Sequence, residues 1–272
     1  MRSAPVRYDN RVCFVTGAAR GQGRAEAVRF AQEGADVAIF DICESFPTTR
    51  YDGPSQQDLA DTAALVEKEG RRCLSFIADT RDRAALGDAV STTVAELGGL
   101  DVVVANAGIC TGSAFLDVSP EQFEATMSVN VSGTWNTLQA TVPVLIEQGR
   151  GGSICVTSSV AGLRGLPFLS DYSASKHAIT GMARSVANEV AQHGIRINTI
   201  HPGSVPTGMT TPELFPLVAG AADTLGPLFM NALPITSTPV EHIAAAVAWL
   251  CSDEAAEVTG IALPLDMGML LR

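Results

Sequence analysis

Short, uninterrupted apolar runs such as Ala38-Ile39-Phe40 and Val102-Val103-Val104-Ala105 alternate along this chain with longer stretches of helical periodicity. A strand with one face in water alternates apolar and polar residues. A strand covered on both faces has no reason to alternate. The runs predict strands at 12–16, 36–41, 73–78, 101–105, 153–157, 195–200 and 261–265. Helices are expected at 21–33, 59–69, 81–97, 121–146, 171–192 and 240–250, with Pro143 near the end of the fourth. Repeated strand–helix order with such strands implies an α/β fold, a doubly wound parallel sheet of about seven strands flanked by helices. No long linker or low-complexity segment divides the chain, so 1–272 reads as one domain. Two stretches fit no simple strand–helix unit, 43–57 and 206–238, and long irregular stretches inside compact domains are often functional.

Composition removes several classes of function. The 272 residues carry 18 basic and 29 acidic side chains, a net charge of −11, which argues against nucleic acid or an anionic membrane surface as partner. No run of eighteen or more apolar residues exists, and the segment Met1–Arg11 does not read as a secretory signal. The six cysteines are scattered without a CxxC pair, and the four histidines form no HxxH or HExxH motif. A disulfide framework and a catalytic metal are therefore not expected, and a reducing cytoplasm is the simplest compartment. Trp135 and Trp249, in helical segments, read as packing residues.

Thr16-Gly17-Ala18-Ala19-Arg20-Gly21-Gln22-Gly23 lies between the first strand and the first helix. Glycines there let the backbone turn tightly and approach a pyrophosphate, while the helix start presents free N–H groups and a positive dipole end. Asp41 closes the second strand, where a carboxylate accepts hydrogen bonds from an adenosine ribose. It would repel a 2′-phosphate, which favours NAD over NADP. Arg20 points the other way, because an arginine beside the turn could hold that phosphate.

Tyr172 and Lys176 are four apart on a predicted helix and share a face. A phenol ordinarily titrates near 10, and a neighbouring ammonium is expected to lower that value and make the tyrosine a usable acid/base. The spacing alone is also that of an ordinary amphipathic pair.

Taken together these residues resemble the short-chain dehydrogenase/reductase family in its NAD-binding, Rossmann-type form, over nearly the whole chain. The TGxxxGxG turn is matched from Thr16 to Gly23, the acidic residue after the second strand by Asp41 with Ile42 beside it, and the aspartate after the third by Asp79, followed by Thr80. The NNAG segment appears as Ala105-Asn106-Ala107-Gly108, its first asparagine replaced by alanine. The resemblance implies a catalytic set of Asn130, Ser159, Tyr172 and Lys176, with Ser159 thirteen residues before the tyrosine and Ser158 the blander alternative. It implies that Pro202-Gly203, Val205 and Thr207 embrace the nicotinamide end. The cofactor-binding set is then Gly17, Arg20, Gly21, Gln22, Gly23, Asp41, Ile42, Asp79, Thr80, Asn106, Ala107, Gly108, Tyr172, Lys176, Pro202, Gly203, Val205 and Thr207. The implied reaction is hydride transfer between an alcohol or ketone and the nicotinamide. In it Tyr172 moves the hydroxyl proton, Lys176 lowers its pKa and holds the ribose, Ser159 bonds the substrate oxygen, and Asn130 positions a relay water. A homotetramer is implied as well, with the helices at 121–146 and 171–192 and the strand region 263–266 as contact surfaces.

The stretch 43–57 begins where the adenosine ribose is expected and carries Phe46 and Tyr51, which could cover the cofactor edge; a tolerated surface loop is the plainer alternative. With the phrase DLADTAALVEKEGRR it resembles a narrower, carveol-dehydrogenase-like group described as mycofactocin-coupled. That resemblance implies tightly held NAD, reoxidised by mycofactocin as a separate redox carrier. The segment 206–238 is expected to cover the substrate. Met209, Leu214, Phe215, Leu217, Val218, Leu225, Leu228, Phe229 and Met230 suit an apolar, terpenoid-like alcohol or ketone, and only Glu213 and Asp223 are charged. Two alternatives stand beside this reading: a freely exchanging NAD(P)-dependent ketone reductase and a catalytically silent dinucleotide-binding protein.

Overall fold

The structure, a computed structural model, describes residues 6–209 and 211–272. The opening five residues of the segment read as free of a leader, and Thr210 of the substrate cover, lie outside it. Seven strands form one parallel sheet: β1 (Val12–Thr16), β2 (Asp36–Asp41), β3 (Cys73–Ile77), β4 (Val102–Ala105), β5 (Gly152–Thr157), β6 (Ile195–Pro202) and β7 (Ala262–Leu265). Their order is β3-β2-β1-β4-β5-β6-β7. All seven predicted strands are present, within two residues at either end.

The unbroken apolar runs have a direct cause. Cys13, Val15, Val37, Ile39, Val102 and Val104 enter the core on one face of the sheet, and Val12, Phe14, Ala38, Phe40, Val103 and Ala105 enter the core on the other. With both faces covered, alternate side chains meet two different cores and neither needs to be polar. The edge strands β3 and β7 are only partly buried.

The helices are α1 (Gly21–Gln32), α2 (Gln56–Lys68), α3 (Arg83–Leu97), α4 (Pro120–Met127), α5 (Gly133–Gln148), α6 (Ser170–Val190), α7 (Leu214–Gly220), α8 (Ala222–Leu225) and α9 (Val240–Cys251). Three expectations need correction. First, α2 begins at Gln56, because Ser55 and Asp58 form a capping box: the Ser55 hydroxyl accepts from the Asp58 N–H and the Asp58 carboxylate accepts from the Ser55 N–H. The irregular insertion therefore ends at residue 55. Second, the helix expected at 121–146 is two helices joined by a π-helical turn over Ser128–Ser132. Third, 206–238 is not wholly irregular, since it contains α7, α8 and a 3₁₀ turn at Gly226–Phe229. No helix among the described residues is long and apolar enough to cross a membrane.

α1 and α9 pack on one face of the sheet, and one buried group there breaks the pattern. Glu26 on α1 is fully buried, and both of its carboxylate oxygens lack partners. Burial pushes its carboxyl up to about 8, and the neighbouring Cys251 adds to the rise. Trp135 and Trp249 are not interior packing residues: they are 45% and 37% exposed. They belong to a set of exposed apolar side chains that also includes Phe115, Leu116 and Phe123 before and along α4.

Candidate active site

The strand order reverses between β1 and β4, so the loops leaving those strands part and open a crevice at their carboxyl ends. A cavity of about 530 Å³ occupies it. Gly17 has φ +67°, and a side chain there would place its Cβ 2.8 Å from the Ala107 Cα. At Gly23 an added Cβ would lie 2.2 Å from the Gly17 carbonyl oxygen. The turn is thus folded against both its own helix and the loop after β4. Asn106 holds that junction, donating to the carbonyls of Thr16 and Gly17 at 3.1 Å each, while the Thr16 hydroxyl accepts from the N–H groups of Asn106 and Ala107. Alanine in place of the first asparagine of the motif lies buried in β4.

No side chain caps the start of α1, and no acidic residue stands in its first turn. The unpaired N–H groups and the positive helix end therefore remain available to an anion. Asp41 borders the same groove, its carboxylate accepting from the N–H groups of Ala19 (2.9 Å) and Cys43 (3.1 Å). Burial raises its pKa, and those two bonds oppose the rise. A carboxylate accepts about four hydrogen bonds, so two places remain for ribose hydroxyls. An uncapped helix start, a turn without room for side chains and an acidic rim fit a dinucleotide. Among the described residues no group of three His, Cys, Asp or Glu side chains could hold a metal ion.

Of the sequence-predicted residues, Gly17, Arg20, Gly21, Gln22, Asp41, Ile42, Asp79, Thr80, Asn106, Ala107, Gly108, Ser159, Tyr172, Lys176, Pro202, Gly203, Val205 and Thr207 line the cavity. Gly23 and Asn130 do not: Gly23 sits behind the turn it allows to close. Asn130 is fully buried on the π-helical turn, where its amide donates to the Ile109 carbonyl (2.9 Å) and the Ser175 hydroxyl (3.0 Å) and accepts from the Ile109 N–H (2.8 Å). Its side chain is spent on fixing the strip after β4. Arg20 departs from the phosphate-holding alternative. Its guanidinium donates to the Asp52 carbonyl at 2.5 Å and packs against Gly208, tying the insertion to the segment after β6.

At the far end of the cavity α6 presents Tyr172 and Lys176 beside Ser159, which follows β5. The Lys176 ammonium donates to the Thr157 carbonyl at 2.8 Å and lies 5.5 Å from the Tyr172 ring centre. Burial pushes Lys176 down to about 8. It also pushes the Tyr172 phenol up, while the Ser159 hydroxyl works the other way. Desolvation dominates at the phenol, and the group that opposes it is Ser159, where the sequence led us to expect Lys176. Ser158 spends its hydroxyl on the Lys176 carbonyl and on Thr180. His201, unassigned from the sequence, is neutral and buried, its pKa lowered to about 4 chiefly by that burial. Its Nδ1–H donates to the Ser159 carbonyl at 2.6 Å, so it braces the serine from behind.

The substrate side of the cavity is walled by Cys110, Val160, Leu166, Leu169 and Met269, with Tyr172, Met209 and Leu214 packed against them. Of the apolar residues expected to line it from 206–238, Met209, Leu214, Phe215, Val218 and Phe229 do so. Leu217, Leu225, Leu228 and Met230 do not line it; they lie elsewhere in that segment.

Comparison with known proteins agrees with this geometry. The sequence matches the short chain dehydrogenase family over residues 11–214. It is 37% identical to (-)-trans-carveol dehydrogenase of Rhodococcus erythropolis, over 98% of this chain and 100% of that protein. Among solved structures, a short chain dehydrogenase from Mycobacterium paratuberculosis bound to NAD superposes with a TM-score of 0.94 at 46% identity, covering 98% and 100% of the two chains. Carveol dehydrogenase from Mycobacterium avium in complex with NAD gives 0.92 at 40% identity, covering 98% and 99%. A cavity of this construction and similarity along almost the whole length have one reading: the chain belongs to the short-chain dehydrogenase family.

Proposed function

We propose that the protein is an NAD-dependent alcohol dehydrogenase acting on a secondary alcohol or ketone of apolar, terpenoid-like character, with the whole chain working as one catalytic domain. The observation that carries the reading is the convergence of Ser159, Tyr172 and Lys176 on one cavity that runs from the uncapped start of α1 to the apolar wall around Cys110. NAD, when bound, supplies the hydride chemistry. Gly17, Gly21 and the first turn of α1 hold its pyrophosphate, Asp41 its adenosine ribose, and Pro202, Gly203, Val205 and Thr207 its nicotinamide end. Ser159 donates to the substrate oxygen and fixes the carbinol carbon, with His201 keeping the serine in place. Tyr172 moves the hydroxyl proton. Lys176, already displaced toward neutrality by burial, passes a proton more easily than an exposed lysine. Asn130 keeps the strip after β4 in register with these groups.

The insertion supports a further part of the reading, that NAD is held without free exchange and gives its electrons to a carrier such as mycofactocin. Phe46 stacks under the Arg81 guanidinium at 5.0 Å, Arg20 holds Asp52, and the Thr111 hydroxyl donates to the Thr48 carbonyl at 3.1 Å. The insertion is therefore anchored across the groove at several points. The exposed Phe115, Leu116, Phe123 and Trp135 before and along α4 and α5, with Trp249 and Ile261, support a homotetramer. The unpaired cysteines are compatible with a cytoplasmic location.

The test is mass spectrometry of the desalted protein for bound nicotinamide, followed by alcohol oxidation with an artificial electron acceptor. Retained NAD and dye-linked turnover without added NAD⁺ are expected, with turnover lost by orders of magnitude in Tyr172→Phe. Nicotinamide lost on simple desalting would end the retained-cofactor reading. Full activity in Tyr172→Phe would end the dehydrogenase reading.

A further inference from the structure

The insertion after β2 starts at the adenosine end of the groove but does not stay there. Tyr51, near its end, spans to the loop after β4, where its phenol oxygen accepts from the Cys110 N–H at 3.2 Å. Cys110 belongs to the apolar cluster of the substrate wall, together with Val160, Leu169 and Met269, and Tyr172 packs against that cluster. Tyr51 lines the same continuous cavity as Tyr172 and Ser159. The electrostatic environment of Tyr172 includes both Cys110 and Tyr51. A residue carried by the cofactor cover thus ends at the substrate.

The hydrogen bond to Cys110 uses a lone pair of the phenol and leaves its proton. Among the described residues no acceptor takes that proton. The phenol stays protonated at every working pH, since burial pushes it up to about 12. The wall of Cys110, Val160, Leu169 and Met269 is apolar, and the carboxylate on this side, Glu213, accepts from the Gly112 N–H and makes no hydrogen bond to Tyr51. The reacting oxygen cannot supply one either. A carbonyl oxygen has two lone pairs, and in the proposed reaction Ser159 and Tyr172 occupy both. The phenol lines the cavity, not the closed core, so its proton faces the space a ligand occupies and is open to an acceptor that the ligand brings.

We propose that Tyr51 is a substrate-binding residue whose O–H donates to a second oxygen of the substrate, so that the site selects apolar alcohols or ketones carrying a further hydroxyl, carbonyl or ether oxygen. The proposal rests on the dehydrogenase reading above and adds to it the substrate's second polar function. It also gives the insertion two tasks, one at the cofactor and one at specificity.

The test compares wild type with Tyr51→Phe on paired alcohols with and without a second oxygen, cyclohexanol against cyclohexane-1,4-diol and menthol against p-menthane-3,8-diol. The readout is the ratio of kcat/KM for the oxygenated over the plain member, in the dye-linked assay with NAD⁺ supplied. One neutral hydrogen bond contributes about 0.5–1.5 kcal/mol, so the ratio should fall about 2- to 13-fold in Tyr51→Phe, through the KM of the oxygenated substrate. An equal loss on both members of each pair overturns the proposal, because it marks a packing role. A preserved ratio with nicotinamide lost from the purified variant also overturns it, and places the phenol on the cofactor. Absence of turnover in wild type on all four alcohols and the corresponding ketones counts against the dehydrogenase reading itself. That result is distinct from a preserved ratio in an active enzyme.

Discussion

Replacing Glu26 with glutamine should stabilise the fold at neutral pH and remove a pH dependence that the wild type carries. The carboxyl titrates at about 8 in the folded protein, against 4.5 for the ordinary group. Between those values the unfolded chain has released the proton and the folded one has kept it. The folded state therefore binds more protons, and stability falls as pH rises, by about 1.4 kcal/mol for each pH unit. The loss starts near 4.5, reaches roughly 3 kcal/mol at pH 7 and levels off above 8, where the folded group ionises too. Glu26 is fully buried, so solvent does not screen this cost. An amide of the same shape is neutral throughout. Glu26→Gln and wild type should nearly coincide near pH 5 and separate by roughly 6–12 °C at pH 7 and by more at pH 8, taking about 2–4 °C per kcal/mol for a chain of this size. Differential scanning calorimetry between pH 5 and 8.5 reads the effect. Parallel melting curves across that range would show that the carboxyl is solvated or paired, and would refute the argument.

Two further predictions concern the cofactor groove. Gly23→Ala puts a methyl group 2.2 Å from the Gly17 carbonyl oxygen, where only backbone can give way. It should weaken nicotinamide binding at least tenfold and cost about 1–3 kcal/mol of stability, seen by calorimetric titration and thermal melting. Asp41→Ser removes the rim carboxylate and should lower the preference for NAD over NADP by about 10- to 100-fold, the span of a hydrogen bond to a charged group. Direct binding of the two nucleotides to nucleotide-stripped protein measures it, and an unchanged ratio would exclude Asp41 from the ribose.

What the sequence made legible follows from locality. The strands were visible because each buries both faces, and the glycine turn because its constraints act within eight consecutive residues. The reach of the insertion was not visible. Tyr51 and Cys110 lie 59 positions apart, and no periodicity links them. The role of Arg20 was open for the same reason, since its partners at Asp52 and Gly208 come from distant loops. His201 looked unremarkable because Ser159, the neighbour it braces, is on another strand's loop. The π-helical turn had no sequence signal, since Ser128–Ser132 continues the pattern of a helix whose residues at 122, 126, 130 and 134 are all buried.

That turn bears on both the interior and the outer surface. Asn130 is at its centre, α4 with the exposed Phe123 precedes it, and α5 with the exposed Trp135 follows it. A π-helical turn holds one residue more than an α-helical turn, so the extra residue is taken up locally and α4 and α5 keep nearly the phase of one continuous helix. Asn130 faces Ile109 from within that turn, while Phe123 before it and Trp135 after it both stay toward solvent. The bulge thus serves the strip inside without turning the aromatic surface outside.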